Sequence, residues 1–175
     1  CDDAVADQVG GGLVAGIETT TNLIGNGVLA LLRNADQLRA LQRDPDLTPA
    51  AVEELLRYDS PVQLTTRVAG ADIRLGGQTI PRGDILLACV GAANRDPAMF
   101  PDPDRLDIRR TNNKHLAFGS GPHFCLGAAL ARMEAEAAIR TLITRFPNLR
   151  LERQRLRWHT GRTFRGVKAL WLRLG

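Results

Sequence analysis

Cysteine is scarce and scattered in this sequence: Cys1, Cys89 and Cys125 are the three present in 175 residues. Three residues so far apart argue against a disulfide framework or a zinc cluster, and a reducing cytoplasm is the expected compartment. No run of 18 apolar residues exists, so no transmembrane helix is expected, and the N-terminus carries no signal-peptide pattern. Aromatic residues make up only 5% of the chain. Internal repeats and low-complexity tracts are absent as well. What remains is ordinary globular material, 44% hydrophobic and 24% charged, long enough for one domain with a core or for part of a larger one. The chain opens Cys1-Asp2-Asp3 rather than with Met, so an upstream part is expected to have been cut away.

Charge is unevenly placed. Residues 1–144 carry 14 Lys and Arg against 18 Asp and Glu, whereas residues 145–175 carry 9 against the single Glu152. The basic excess of the last thirty residues interleaves with Leu149, Leu151, Leu156 and Leu172, which reads as strands with a solvated face. With no aromatic-rich or motif signal beside it, this excess gives no footing to a nucleic-acid partner.

Apolar spacing predicts a helix over 3–33, through Leu13, Val14, Ile17, Ile24, Val28, Leu31 and Leu32. Its interior is poor helix material. Six glycines lie in it, each costing about 1 kcal/mol against Ala, and Glu18-Thr19-Thr20-Thr21-Asn22 interrupts the apolar pattern. Hydroxyls there can bond the carbonyl one turn back. On the residues alone, this stretch is either a weakened helix with an acid and a hydroxyl at its middle, or an exposed face or second helix start. Helix continues from Arg33 to Arg43 until Asp44-Pro45-Asp46 breaks it. Thr48-Pro49 reads as an N-cap with Pro in the first turn of the next helix, which carries Glu53-Glu54-Leu55-Leu56-Arg57. Glu54 and Arg57, three apart, share a helical face.

After Ser60-Pro61 the period becomes two: strands at 62–68 and 85–90, with 72–75 and 78–80 joined at Gly76-Gly77 as a hairpin. Asn94 to Arg110 is polar and Pro-punctuated, with little secondary structure of its own. A last helix runs from after Cys125 to about Arg145, its apolar side expected at Leu126, Ala129, Leu130, Met133, Ala137, Leu142 and Ile143. Pro147-Asn148 stops it, and Trp158, Phe164 and Trp171 anchor terminal strands.

The densest signal is Phe118-Gly119-Ser120-Gly121-Pro122-His123-Phe124-Cys125-Leu126-Gly127. Its glycines and proline make a tight loop whose backbone can approach something bulky. Cys125 stands at the mouth of a helix, where free N–H groups and the dipole stabilise a thiolate. Gly127 leaves the sulfur's surroundings free of a Cβ. A lone Cys before a helix can equally be a small buried hydrophobe, and His115, His123 and His159 show no spacing that favours a metal site.

The whole string resembles the haem-ligand loop of cytochrome P450 enzymes, F-G-x-G-x-H-x-C-x-G, with Phe118, Gly119, Gly121, His123, Cys125 and Gly127 at the fixed positions. Three further stretches resemble the family in order. Ala15-Gly16-Ile17-Glu18-Thr19 is similar to its oxygen-activation segment, with Glu for the commoner Asp. Glu54 and Arg57 resemble its E-x-x-R pair, and Pro103-Asp104-Arg105-Leu106 resembles the segment supplying that pair's third partner, Arg105.

The resemblance implies a mainly α fold with small β-sheets, residues 1–175 forming a single partial domain, the C-terminal, haem-binding half. It implies haem b (iron protoporphyrin IX) held by Cys125 and contacted by Phe118, Gly119 and Gly127, with Arg67, His115 and His123 on the propionates. Glu18 and Thr19 would relay protons, and Glu54, Arg57 and Arg105 would form a structural network. The implied activity is insertion of one oxygen atom from O₂ into a small organic substrate, with electrons from a ferredoxin-type donor and no membrane or nucleic-acid partner. A basic face of Arg109, Arg110, Lys114 and Arg132 is expected to receive that donor. The alternatives are a catalytically inactive haem-binding or structural remnant, and a member that uses peroxide or performs oxidative coupling.

Overall fold

The computed structural model describes the backbone from Asp2 to Gly175 and side chains from Ala15 onward; Cys1 and the side chains of Leu13 and Val14 lie outside the described residues. Helix α1 (Asp2–Arg33) runs unbroken through its glycines and through Glu18-Thr19-Thr20. The Thr19 and Thr21 hydroxyls donate to the carbonyls of Ala15 and Ile17, one turn back, so their polar groups are met inside the helix.

The expected continuation to Arg43 is cut in two. Asn34 leaves the helical region at φ −117°, and its amide donates to the Ala30 carbonyl, a local bond that competes with helix propagation. A second helix, α2 (Ala35–Arg43), follows, then a 3₁₀ turn at Pro45–Leu47. In α3 (Thr48–Tyr58) Thr48 is already helical rather than the N-cap. Its hydroxyl donates to the Pro45 carbonyl at 2.6 Å, which spends it on the preceding turn.

Strand β1 (Leu64–Val68) pairs antiparallel with β4 (Ile85–Cys89), Leu64 opposite Cys89. Both strands are shorter than the 62–68 and 85–90 expected. Val62 bridges to Phe164 instead, and Val90 opens the four-residue helix α4 (Val90–Ala93). Strands β2 (Ile73–Leu75) and β3 (Gln78–Ile80) form the hairpin, with Gly76 and Gly77 at φ +58° and +79° as a tight two-residue turn requires. Residues 94–120 carry no helix or strand. Helix α5 (Ala128–Arg145) and the pair β5 (Arg150–Leu151) with β6 (Leu172–Arg173) complete the chain.

The core joins α1, α2, α3 and α5 through Leu23, Leu31, Leu41, Leu55, Leu56 and Ile139, with Leu106 and Ile108 of the coil inserted into it. Gly27 marks the closest crossing: a Cβ there would lie 3.0 Å from Leu55 Cδ1 and 3.6 Å from Ile139 Cδ1. The face of α5 that enters this core is Ala128, Ala135, Ile139 and Ile143. The apolar side expected from Leu126, Leu130 and Met133 faces outward, each of them at least 58% exposed. The helix is apolar on two sides, so its sequence could not single out which one the core would take.

Candidate functional site

The loop ahead of α5 is shaped by backbone bonds and left-handed glycines. Gly119 and Gly121 sit at φ +72° and +71°, a region that costs an L-residue roughly 1–2 kcal/mol. Between them and α5 a 3₁₀ turn spans Gly121–His123. The Cys125 N–H donates to the Phe118 carbonyl at 2.9 Å and closes the loop on itself. Cys125 is exposed and in no disulfide. Helix α5 begins three residues later with Gly127 as its N-cap and no side-chain capping bond. The Ala128 N–H turns back to the Cys125 carbonyl at 3.3 Å, and the positive dipole end of the helix is left for an anion. A Cβ built on Gly127, or on Gly16 of α1, meets nothing within 4 Å. Phe124, Leu126 and Ile17 stand exposed at 52%, 102% and 65%. A soft thiolate donor, open glycine positions and uncovered apolar side chains suit a broad flat apolar group bound through sulfur.

The structure places the other expected residues as follows. Glu18 and Thr19 lie half-buried at the middle of α1, beside the exposed Ala15, Gly16 and Ile17. Arg67 is exposed on β1, with one bond to the Thr66 carbonyl, and His123 is exposed in the 3₁₀ turn. Both keep donors for an anion. His115 does not. Its Nδ1 accepts the Ala117 N–H at 3.2 Å and its Nε2 donates to Glu53 Oε2 at 3.2 Å, leaving the ring 3% exposed. Both nitrogens are used inside the protein, which withdraws His115 from the propionate role. Among the described residues, no group of three or more His, Cys, Asp or Glu side chains could hold a metal ion.

Behind the loop lies a buried charge network. Glu54 and Arg57 are paired at 2.8 Å with fully buried side chains. Arg57 uses all five of its N–H donors: on both Glu54 oxygens and on the carbonyls of Asn94, Pro103 and Arg105. The second guanidinium on Glu54 is not that of Arg105. Arg105 is exposed and contributes its carbonyl, while Arg110 donates to both Glu54 oxygens at 3.1 and 3.2 Å. The coil turns between the two residues, through Asp107 and Ile108, and carries Arg110 inward. The sequence of this stretch, with Arg105 between Asp104 and Leu106 and Arg110 between Arg109 and Thr111, carries no local pattern that marks Arg110 as the one to turn inward.

Glu53, also missing from the sequence expectations, gathers a second network. Arg132 of α5 grips it with Nε at 2.6 Å and Nη2 at 3.0 Å, opposite the His115 contact. Burial alone would raise the Glu53 carboxyl, but the hydrogen bonds from His115 and Arg132 outweigh it and lower it to about 2. The Arg132 guanidinium also stacks 4.5 Å from the Phe118 ring centroid. Two of the four cations expected to form a docking face are therefore engaged inside the protein. Arg110 is 10% exposed on Glu54 and Arg132 is clamped by Glu53, which leaves Arg109 and Lys114 exposed.

Comparison with known proteins agrees with this arrangement. Residues 1–157 match the family model described as Cytochrome P450. The chain is 52% identical over 164 residues to a putative cytochrome P450 140 of Mycobacterium bovis, covering 93% of this chain and 37% of the relative. It is equally 52% identical over 166 residues to cytochrome P450 107B1 of Saccharopolyspora erythraea, covering 93% and 41%. A solved structure of P450BioI in complex with hexadec-9Z-enoic acid ligated acyl carrier protein superposes with a TM-score of 0.90 at 49% identity, over 93% of this chain and 42% of that one. The chain thus spans about two fifths of the length of the relatives it matches.

Proposed function

The chain belongs to the cytochrome P450 family, and from that premise we propose that it is the C-terminal, haem-binding portion of a monooxygenase, residues 1–175 acting as one partial domain. The whole enzyme inserts one oxygen atom from O₂ into a small organic substrate, with electrons from a ferredoxin-type partner. The observation that carries this reading is the exposed Cys125, held by its N–H on Phe118, at the uncapped start of α5. Haem b supplies, when bound, the redox chemistry on dioxygen, and a thiolate ligand favours O–O cleavage by donating electron density.

This chain's residues do the rest. Cys125, exposed at the start of α5, would hold the haem iron through its sulfur. Gly127 and Gly16, where a Cβ meets nothing within 4 Å, would leave room for a flat ring. Arg67 and His123, both exposed, would donate to propionates. Thr19, anchored on the Ala15 carbonyl, keeps lone pairs to accept a proton-bearing partner, and Glu18 beside it is the acid that delivers protons along α1. Arg109 and Lys114 are the cations left to meet an acidic electron donor. No helix of the described residues is long and apolar enough to cross a membrane.

The test is the absorption spectrum of the haem-loaded, reduced, carbon monoxide-treated full-length protein beside Cys125→Ala. A strongly red-shifted Soret band that disappears in the variant is the expected result. A shorter-wavelength band indifferent to the substitution would overturn thiolate ligation. A thiolate band without substrate turnover by any redox partner would favour the inactive remnant.

A further inference from the structure

Glu53 lies where three elements that frame Cys125 meet. It belongs to α3. His115, which donates to it, is where the coil enters the cysteine loop, and Arg132, which grips it with two bonds, is on the second turn of α5 beyond that loop. Phe118, whose carbonyl holds the Cys125 N–H, lies between the two: its ring centroid is 6.0 Å from that of His115 and 4.5 Å from the Arg132 guanidinium carbon. Arg132 also reaches back to the Ala128 carbonyl at 3.4 Å. The segment from His115 to Arg132 is thus tied at both ends to one carboxylate, with the sulfur near its middle.

Nothing in thiolate ligation itself requires this carboxylate, and the Glu54 network already pins the coil. What Glu53 adds is a negative charge on a cation that packs against Phe118, whose carbonyl holds the Cys125 N–H. Arg132 is held above its ordinary range chiefly by its bond to Glu53, and the Cys125 charge contributes in the same direction. A free guanidinium in this place would draw electron density from the thiolate by Coulomb attraction. A neutralised one, fixed against Phe118, does so far less.

Resting on the haem-thiolate reading above, we propose that Glu53 is a positioning residue for Cys125: it clamps and neutralises Arg132 against Phe118, so that the thiolate keeps its electron density for the iron. The carboxylate touches neither ligand nor substrate, and acts through Arg132.

The readout is the iron's reduction potential in the haem-loaded full-length protein, which a purely structural role would leave in place as long as haem is bound. Glu53→Gln removes the charge and keeps an acceptor oxygen. It raises the ferrous-to-ferric ratio at a fixed electrode potential about tenfold, about 59 mV for one electron. Glu53→Asp, with the charge retained, stays near the parent value. The double variant Glu53→Gln/Arg132→Leu moves back toward it, because both charges are gone. An unchanged ratio in Glu53→Gln, or a double variant that keeps the full shift, overturns the proposal. If Glu53→Gln fails to hold haem, Arg132→Leu decides alone: an uncompensated carboxylate lowers the potential, and an unchanged value refutes the idea. Failure of the thiolate reading is distinguishable, since the parent would then show a shorter-wavelength carbon monoxide band that Cys125→Ala leaves unchanged; the proposal falls with it.

Discussion

Replacing Arg110 by Ala should cost far more stability than replacing Arg105 by Ala, although the second lies in the motif that resembles the family's network segment. The Arg110 guanidinium donates to both oxygens of a fully buried carboxylate and to the carbonyls of Pro101, Asp102 and Arg105, at 2.8 to 3.3 Å. Glu54 would keep Arg57, the Asp107 N–H and the Asn113 amide. The carboxylate would therefore be under-compensated rather than orphaned. Hydrogen bonds to charged groups contribute roughly 1.5–3 kcal/mol each, and removing a partner of a buried ion pair costs about 3–5 kcal/mol. With Arg57 remaining, about 3 kcal/mol is the expected loss for Arg110→Ala. Arg105 offers only its carbonyl, which Ala supplies equally, so Arg105→Ala should stay within about 0.5 kcal/mol. Urea denaturation of the full-length protein, followed by circular dichroism and by the Soret band together, measures both. Equal losses for the two variants would refute the assignment of Arg110 as the second guanidinium on Glu54.

Gly127→Ala should leave unfolding of the haem-free protein within about 0.5 kcal/mol of the parent, because its φ of −84° suits any residue and its Cβ meets nothing. Haem titration should nevertheless show weakened binding; unchanged affinity would show that the ring does not lie over this glycine. Gly27→Val overfills the α1–α3–α5 crossing, where a Cβ is already 3.0 Å from Leu55, and should destabilise by about 1–3 kcal/mol in the same urea assay. Acid stability tests Glu53. Its carboxyl is lowered in the fold to about 2 from an ordinary 4.5, so its contribution is complete above the ordinary value and drains away as pH falls from 4.5 toward 2. Glu53→Gln should flatten that part of the stability profile, and a parent-like slope between those values would sink the argument.

Much of the fold was legible in local pattern. The Gly76-Gly77 hairpin, the polar coil after Asn94 and the 18 residues of α5 follow from turn chemistry and periodicity. Where the sequence misled, a competing local bond or a long-range partner decided. Asn34 ended α1 by bonding Ala30, and Thr48 spent its hydroxyl on Pro45. The outward turn of Leu126, Leu130 and Met133 reflects a helix that is apolar on two sides, which periodicity cannot resolve. The cysteine loop was readable because its glycines, proline and cysteine are contiguous. Of the networks behind it only the Glu54–Arg57 pair was readable, because Glu53 meets His115 and Arg132 across 62 and 79 positions of sequence, and Glu54 meets Arg110 across 56. His115 looked free for a ligand only because its partner lies one residue before the recognisable Glu54.

The coil between α4 and the cysteine loop has an unusual source of definition. The carbonyls of Asn94, Pro101, Asp102, Pro103 and Arg105 are received by just two guanidinium groups. Every amino acid carries a carbonyl, so much of the instruction for this segment's path is stored at Arg57 and Arg110, with Leu106 and Ile108 anchoring it in the core, rather than in the side chains that face outward. Outward-facing positions such as Asp104 and Arg105 are therefore free to diversify, altering what the surface presents to other molecules without renegotiating the chain's course beneath it.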